Sequence, residues 1–205
     1  VVTIEVFADT ACPFAHVGLR TVVRRRDQLG RHDVAVRVRA WPLELVNGRA
    51  LDPLSTVEHA DALRAQVAPE LFARVDVGSF PSSSLPSLAL EAAAYRTGER
   101  TGEAVSLALR RALFEEGCDI SRPEVLADIG RAHGVGVVGP EDDAAVRHDW
   151  HDGERRGVKG SPHFFCGASQ VFCPSLHITR DGDGKLHLHR DTEALDGFLA
   201  ECFAG

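Results

Sequence analysis

Methionine is absent from the 205 residues, and Lys159 and Lys185 are the only lysines. A GC-rich genome leaves that kind of bias, and it carries no mechanistic information. No apolar run approaches the ~18 residues a membrane-spanning helix needs, which excludes a helical membrane protein. A basic surplus is also missing. With 30 acidic residues against 23 Lys and Arg, the net charge is −7, whereas a nucleic-acid reader carries a basic footprint. The one dense basic run, Arg24-Arg25-Arg26, reads as a solvated helix face. The opening VVTIEVFAD reads as a strand, not as a leader with a basic start and an apolar centre. The five cysteines are odd in number and scattered, unlike a secreted disulfide framework, so the expected compartment is a reducing cytoplasm.

What is present is ordinary globular material. The hydrophobic share is 44% and the charged share 26%, enough for a real core in one or two domains. Residues 1–8 read as a strand and 13–29 as a helix with Pro13 in its first turn. DVAVRVRAW at 33–41 alternates Val34, Val36 and Val38 against Arg37 and Arg39, a second strand. That order predicts a parallel βαβ unit.

From about 55 to 157 only helical patterns are found: 56–74, 87–97 and 102–116, with a proline-bearing loop at 79–86. In the third, Val105, Leu109, Ala112 and Leu113 share one face, and Glu103, Ser106 and Arg110 another. Ser121-Arg-Pro-Glu124 reads as a capping box opening a helix to His133, and Pro140-Glu-Asp-Asp opens another. Strand patterns return at 162–166, 171–178 and 185–189, with a hairpin turn at Asp181–Gly184 and a last helix from Asp191 to Phe203. Strands at both ends predict one shared sheet. The expected division is 1–45 plus 156–205 as one domain and 46–155 as an inserted helical domain.

Cys12 falls between strand and helix, immediately before Pro13. A thiol there faces free N–H groups and the positive end of the helix dipole, which favour thiolate. A fall in pKa from ~8.5 to ~7 would raise the thiolate share at pH 7 from ~3% to half. The expectation is that Cys12 is the most reactive thiol. His16, one turn on, is a candidate to stabilise a thiolate or move a proton.

CPFAHVG at 12–18 and GSPHFF at 160–165 resemble the DsbA-like branch of the thioredoxin superfamily, nearest to FrnE-type proteins. These are related to kappa-class glutathione transferases and 2-hydroxychromene-2-carboxylate isomerases. In that group a CPWCYLG-like motif opens the first helix. Cys12, Pro13 and Gly18 match it, and Phe14 keeps an aromatic. WPLELVNG at 41–48, ALRRALFEEGCDISRPEVLADIGRAHGV at 108–135 and VKGSPHFF at 158–165 extend the likeness over nearly the whole chain.

The resemblance implies a thioredoxin-like α/β fold with a large all-helical insertion. It also implies a cis peptide bond before Pro162 facing Cys12, with Pro13, Phe14, Ser161 and Pro162 meeting the substrate. The Ser161 backbone would be free to take a substrate as an added strand. Two departures stand out. Ala15 occupies the resolving-cysteine position, so CPFA forms no internal disulfide. Serines and Leu88 at 83–90 replace polar residues that the group often carries there.

Three functions follow: a monothiol oxidoreductase resolved by an external low-molecular-weight thiol, a thiol-dependent transferase or isomerase, and a non-catalytic cleft-binding protein. The expected partners are a small-molecule thiol or a disulfide-containing substrate. No nucleic acid, membrane, metal or tightly bound cofactor is expected, and a homodimer is compatible with all three. His163, Cys166, Cys173 and His177 invite a metal reading that strand alternation argues against. Cys166 and Cys173 could pair across a hairpin, or Cys173-Pro174 could supply a distant second thiol. His148 and His151, beside Asp149 and Asp152, read as a solvated helix face.

Overall fold

The computed structural model describes residues 2–173, 176–190 and 193–204. Its strands are β1 (Val2–Ala8), β2 (Val34–Ala40), β3 (His163–Cys166), β4 (Ser169–Phe172), β5 (Leu176–Arg180) and β6 (Leu186–Arg190). Its helices are α1 (Pro13–Gln28), α2 (Leu43–Val46), α3 (Pro53–Gln66), α4 (Leu85–Thr97), α5 (Glu99–Phe114), α6 (Pro123–Ala132), α7 (Pro140–Arg155) and α8 (Glu193–Ala204).

The expected βαβ unit forms: β1 and β2 pair in parallel from Val2↔Val34 to Ala8↔Ala40. β2 buries every second residue, so Val34, Val36 and Val38 face the core. The outward Arg39 ties three elements together, 2.8 Å from Glu5, 2.5 Å from Asp149 and 3.2 Å from Asp152. The acids beside His148 therefore anchor α7 to β2 and are not simply solvated; His148 itself is exposed. Nor is the triple arginine only a solvated face: Arg26 makes two bonds to Glu103, and Arg25 and Arg24 reach Asp196 and Glu70.

Between Leu43 and Arg155 the described structure holds only helices and two short 3-10 turns, Pro69–Leu71 and Val77–Ser79. The helix expected over 56–74 runs from Pro53 and stops at Gln66. Asp52 caps it, accepting from the Ser55 N–H at 3.0 Å. The loop expected to 86 ends at Ser84, because Pro86 lies in the first turn of α4. The Ser121–Glu124 capping box does not form. Ser121 turns back to Asp119 through both its N–H and its hydroxyl, leaving Arg122 as the N-cap. The face of α5 that carries Ser106 and Arg110 is also buried, because α5 lies against α4 on one side and against β2 and α1 on the others.

The one-sheet expectation is corrected. The four-stranded sheet has the order β2-β1-β3-β4, and β5 and β6 form a separate antiparallel pair. The single strand read over 171–178 divides into β4 and β5. Leu176, Leu186 and Leu188 turn the β5–β6 hairpin into the core of the helical layer, beside Leu63 of α3. Gln66 fastens it there like an added peptide group: its Nε2 donates to the Leu186 carbonyl at 3.1 Å, and its Oε1 accepts from the Leu188 N–H at 3.0 Å. α8 covers β4 and β1. The Asp191 cap lies outside the described residues.

Candidate active site

Cys12 is the N-cap of α1, with extended backbone and Pro13 next in the first turn. The loop before it is fixed from three sides. The Asp9 carboxylate is buried and accepts three hydrogen bonds: the Ala11 N–H at 2.8 Å, the Leu43 N–H at 2.7 Å and the Ser84 hydroxyl at 2.9 Å. Burial pushes the Asp9 carboxyl up, and these three donors pull it back. The Thr10 and Ser87 hydroxyls lie 2.7 Å apart, and Ser87 donates to the Ser84 carbonyl. Arg110, fully buried, donates to the Asp9 carbonyl at 3.3 Å and to Glu91 at 2.7 Å. Its guanidinium also holds Ser106. Such a pair is costly to desolvate, so losing one partner strands a buried charge. Ser84 and Ser87, at the departure from the family pattern, thus hold the cysteine loop, and Leu88 is packed with Ala40, Ala89 and Val146.

The opposite wall is the turn into β3. The Ser161–Pro162 peptide bond is cis. The Ser161 hydroxyl accepts the Asp9 N–H at 2.9 Å, and the Cys12 thiol donates to the Ser161 carbonyl at 3.2 Å. Close approach of α1 to this turn requires a glycine: a Cβ on Gly18 would lie 3.2 Å from Pro162 Cγ and 3.3 Å from the Phe164 ring. Sequence-predicted Cys12, Pro13, Ser161 and Pro162 are therefore brought together. Phe14 lies at the edge, half-buried, its ring centroid 5.4 Å from that of His59.

The thiolate expectation is corrected. Cys12 is 4% exposed, and burial pushes its thiol up. Hydrogen bonds from Ser161 and from the Ala15 and Phe14 N–H groups pull the other way, while the nearby Asp9 carboxylate adds to the rise. The helix terminus acts as expected, but desolvation of the charged sulfur outweighs it. The hydrogen bond agrees: an S–H donating to a carbonyl is the protonated form.

His16 is buried one turn along, but its ring turns to the helical layer. Nε2 lies 3.2 Å from Glu115 Oε1, and the ring stacks on Phe114 and meets Phe72 edge-on. Burial lowers its pKa despite the nearby Glu115 carboxylate, and neither ring nitrogen has a well-aligned hydrogen-bond partner among the described residues. Among the described residues no side-chain hydrogen bond joins it to Cys12, so it positions α1 against α5.

Register decides the cysteine question in the β3–β4 hairpin. His163 opposes Phe172 and Cys166 opposes Ser169, which leaves Cys173 at the far end from Cys166. That answers the question left open by the sequence, whether Cys166 and Cys173 pair across the hairpin: both are free thiols. Cys166 instead lies against Cys202 of α8. The Cys173 N–H donates to the Pro162 carbonyl at 3.0 Å, on the Cys12 side. His163 is buried, with Nδ1 accepting the Lys159 N–H at 3.1 Å, and the side chain of His177 lies outside the described residues. Sequence reasoning missed Asp9, Arg110 and Glu91. The available signal was the charged residue Arg110 beside the apolar stripe of α5, facing Glu91 on the neighbouring helix.

The sequence pattern of the DSBA-like thioredoxin domain matches residues 3–177. No curated protein matches. Among solved structures, a candidate protein disulfide isomerase from Nitrosomonas europaea superposes with a TM-score of 0.70 at 13% identity, covering 99% of this chain and 98% of its own. A 2-hydroxychromene-2-carboxylate isomerase gives 0.62 at 16% identity, covering 83% and 88%. The cytosolic disulfide reductase DsbM from Pseudomonas aeruginosa, solved with GSH, gives 0.60 at 17% identity and covers 100% of both chains. At these identities the likeness is one of fold.

Proposed function

The chain belongs to the DSBA-like thioredoxin family, and from that premise we propose that it is a thiol–disulfide oxidoreductase in which Cys12 is the nucleophile and a low-molecular-weight thiol is the external reductant. The supporting observation is the Cys12 S–H seated on the Ser161 carbonyl at 3.2 Å, at the N-terminus of α1. A substrate disulfide entering beside Ser161 and Pro162 displaces that hydrogen bond. The proton leaves Cys12, the sulfur attacks one substrate sulfur, the S–S bond breaks, and the departing thiolate takes up a proton. The Ala15 methyl offers no second thiol one turn on. An external thiol then attacks the mixed disulfide and frees Cys12.

The GSH bound in the DsbM structure supports a small thiol as that reductant, and a reducing cytoplasm is the setting this chemistry asks for. No helix among the described residues is long and apolar enough to cross a membrane.

The test is glutathione-driven reduction of insulin and of a small disulfide, with Cys12→Ser as control. Turnover that falls at least roughly a hundredfold in the variant is expected. Equal rates overturn the reading. Binding of glutathione without exchange would redirect it to the transferase or isomerase class.

A further inference from the structure

At the end of β3 away from the Ser161–Pro162 turn lies a second pair of thiols. We propose that Cys166 and Cys202 are a reversible oxidation site, forming a disulfide that staples α8 to the β3–β4 hairpin when a low-molecular-weight disulfide accumulates.

Packing places them as one rung of a ladder between β3 and α8. Side chains two apart on a strand share a face, so Cys166 lies on the face of Phe164; side chains four apart share a helix face, so Cys202 lies with Phe198. Phe164 and Phe198 already meet, their ring centroids 6.3 Å apart. Two residues advance a strand by roughly 6.6 Å, and four advance a helix by roughly 6 Å. One matched step along each element therefore leads from the phenylalanine pair to the cysteine pair. A second contact fixes the direction of that step. Cys166 opposes Ser169 in the hairpin, and the Ser169 hydroxyl donates to the carboxylate of Glu201, the residue next to Cys202. Both cysteines pack in the same apolar cluster as Phe164 and Phe198, and their thiols lie within hydrogen-bond reach of each other.

The two differ in access. Cys166 is partly exposed beside the hairpin turn, whereas Cys202 is 4% exposed. Burial, with the Cys166 thiol beside it, pushes the Cys202 thiol up. Cys166 is thus the sulfur that meets an oxidant, and Cys202 the one that closes the bond. Cys12 lies at the other end of β3, on the Ser161 carbonyl, so this chemistry does not pass through it.

The step balances. The Cys166 thiol loses its proton and attacks one sulfur of the small disulfide. That S–S bond breaks, and the first small thiol leaves with a proton. Cys202 loses its proton and attacks Cys166 Sγ. The Cys166–Cys202 bond forms, and the second small thiol leaves carrying a proton. The two cysteines lose two electrons and the small disulfide gains them. Two equivalents of the small thiol reverse the change and are oxidised to their own disulfide. The bond closes a loop of about 36 residues that holds β4, β5 and β6. It restrains the unfolded chain more than the folded one, in which the two ends already touch.

The experiment treats reduced wild type, Cys12→Ser, Cys166→Ala and Cys202→Ala with oxidised glutathione and quenches with acid. Disulfides are mapped by peptide mass spectrometry, with fragmentation to separate Cys166 from Cys173, which share a tryptic peptide. Thermal unfolding is followed on the same samples. Wild type and Cys12→Ser are expected to accumulate the Cys166–Cys202 linkage. Their melting temperature is expected to rise by roughly 5 °C or more over the reduced protein, and dithiothreitol to reverse the rise. Cys202→Ala is expected to hold glutathione on Cys166 without that rise, and Cys166→Ala to leave Cys202 unmodified. Cys12→Ser keeps both thiols of the pair, so it decides the matter even if a cavity at position 202 unsettles α8. In that variant, glutathione persisting on Cys166, or both thiols staying free, overturns the pair. A linkage that leaves the melting temperature unchanged overturns the staple.

Discussion

The two β-hairpins near the end of the chain meet different fates. β3–β4 extends the central sheet by pairing with β1, and its ends carry the Ser161–Pro162 turn and Cys173. β5–β6 leaves the sheet and lies on α3, held by three leucines and the side chain of Gln66. Both close on short turns containing a positive-φ glycine, Gly167 and Gly184. The difference lies in what waits beneath them. His163, Phe164 and Phe165 are all buried, as a strand in mid-sheet requires. The second hairpin buries only one face, and an amphipathic helix satisfies that face as well as a sheet edge would. The first hairpin is therefore part of the site, and the second is a brace.

Disturbing each hairpin in turn should separate chemistry from stability. The largest effect is expected from Gly18→Val, which drives a branched side chain into Pro162 and Phe164. We expect a loss of about 1–3 kcal/mol, together with loss of exchange activity in the fraction that stays folded. Denaturant unfolding and turnover measured on the same preparation check it. Full activity in the folded protein would detach the Pro162 turn from the site.

His163 gives the next effect, through pH. Burial and the Lys159 charge lower its pKa to about 4, against ~6.5 when unfolded. Above pH 6.5 neither state binds the proton. Between 6.5 and 4 the unfolded chain protonates and the folded one does not, so the His163 contribution to stability shrinks as pH falls and is fully lost below about 4. The expected contribution is of order 1–2 kcal/mol, allowing for polar neighbours such as Gln170. His163→Asn keeps an acceptor for the Lys159 N–H and should flatten that slope in unfolding curves taken across the window.

Gln66→Ala gives the smallest effect. It removes two hydrogen bonds to the second hairpin, worth about 1 kcal/mol. Amide exchange at Leu188 should rise while turnover stays unchanged. A fall in turnover would mean that the brace also supports the site.

The β1-α1-β2 unit was legible because strict alternation at Val34, Val36 and Val38 and a proline at the helix start are local signals. The approach of Ser161–Pro162 to Cys12 was legible only through the family resemblance. The destination of residues 176–190 was not, because alternation marks the buried face and not its partner. Arg110 was assigned to the polar face of α5 because periodicity ranks residues by polarity, whereas a helix packed on several sides can bury an arginine once Glu91 and Ser106 receive it. The state of the Cys12 thiol needed three dimensions: the helix terminus is visible in the sequence, but the burial that outweighs it is not.

The central claim is that Cys12 rests as a buried, protonated thiol on the Ser161 carbonyl until a substrate displaces it. Its direct test is the rate of Cys12 alkylation as a function of pH, followed by peptide mass spectrometry on the wild-type protein. The account predicts slow labelling with a midpoint above the ordinary cysteine value of ~8.5. A midpoint near or below ~7, the mark of a thiolate stabilised by the helix terminus, would contradict it.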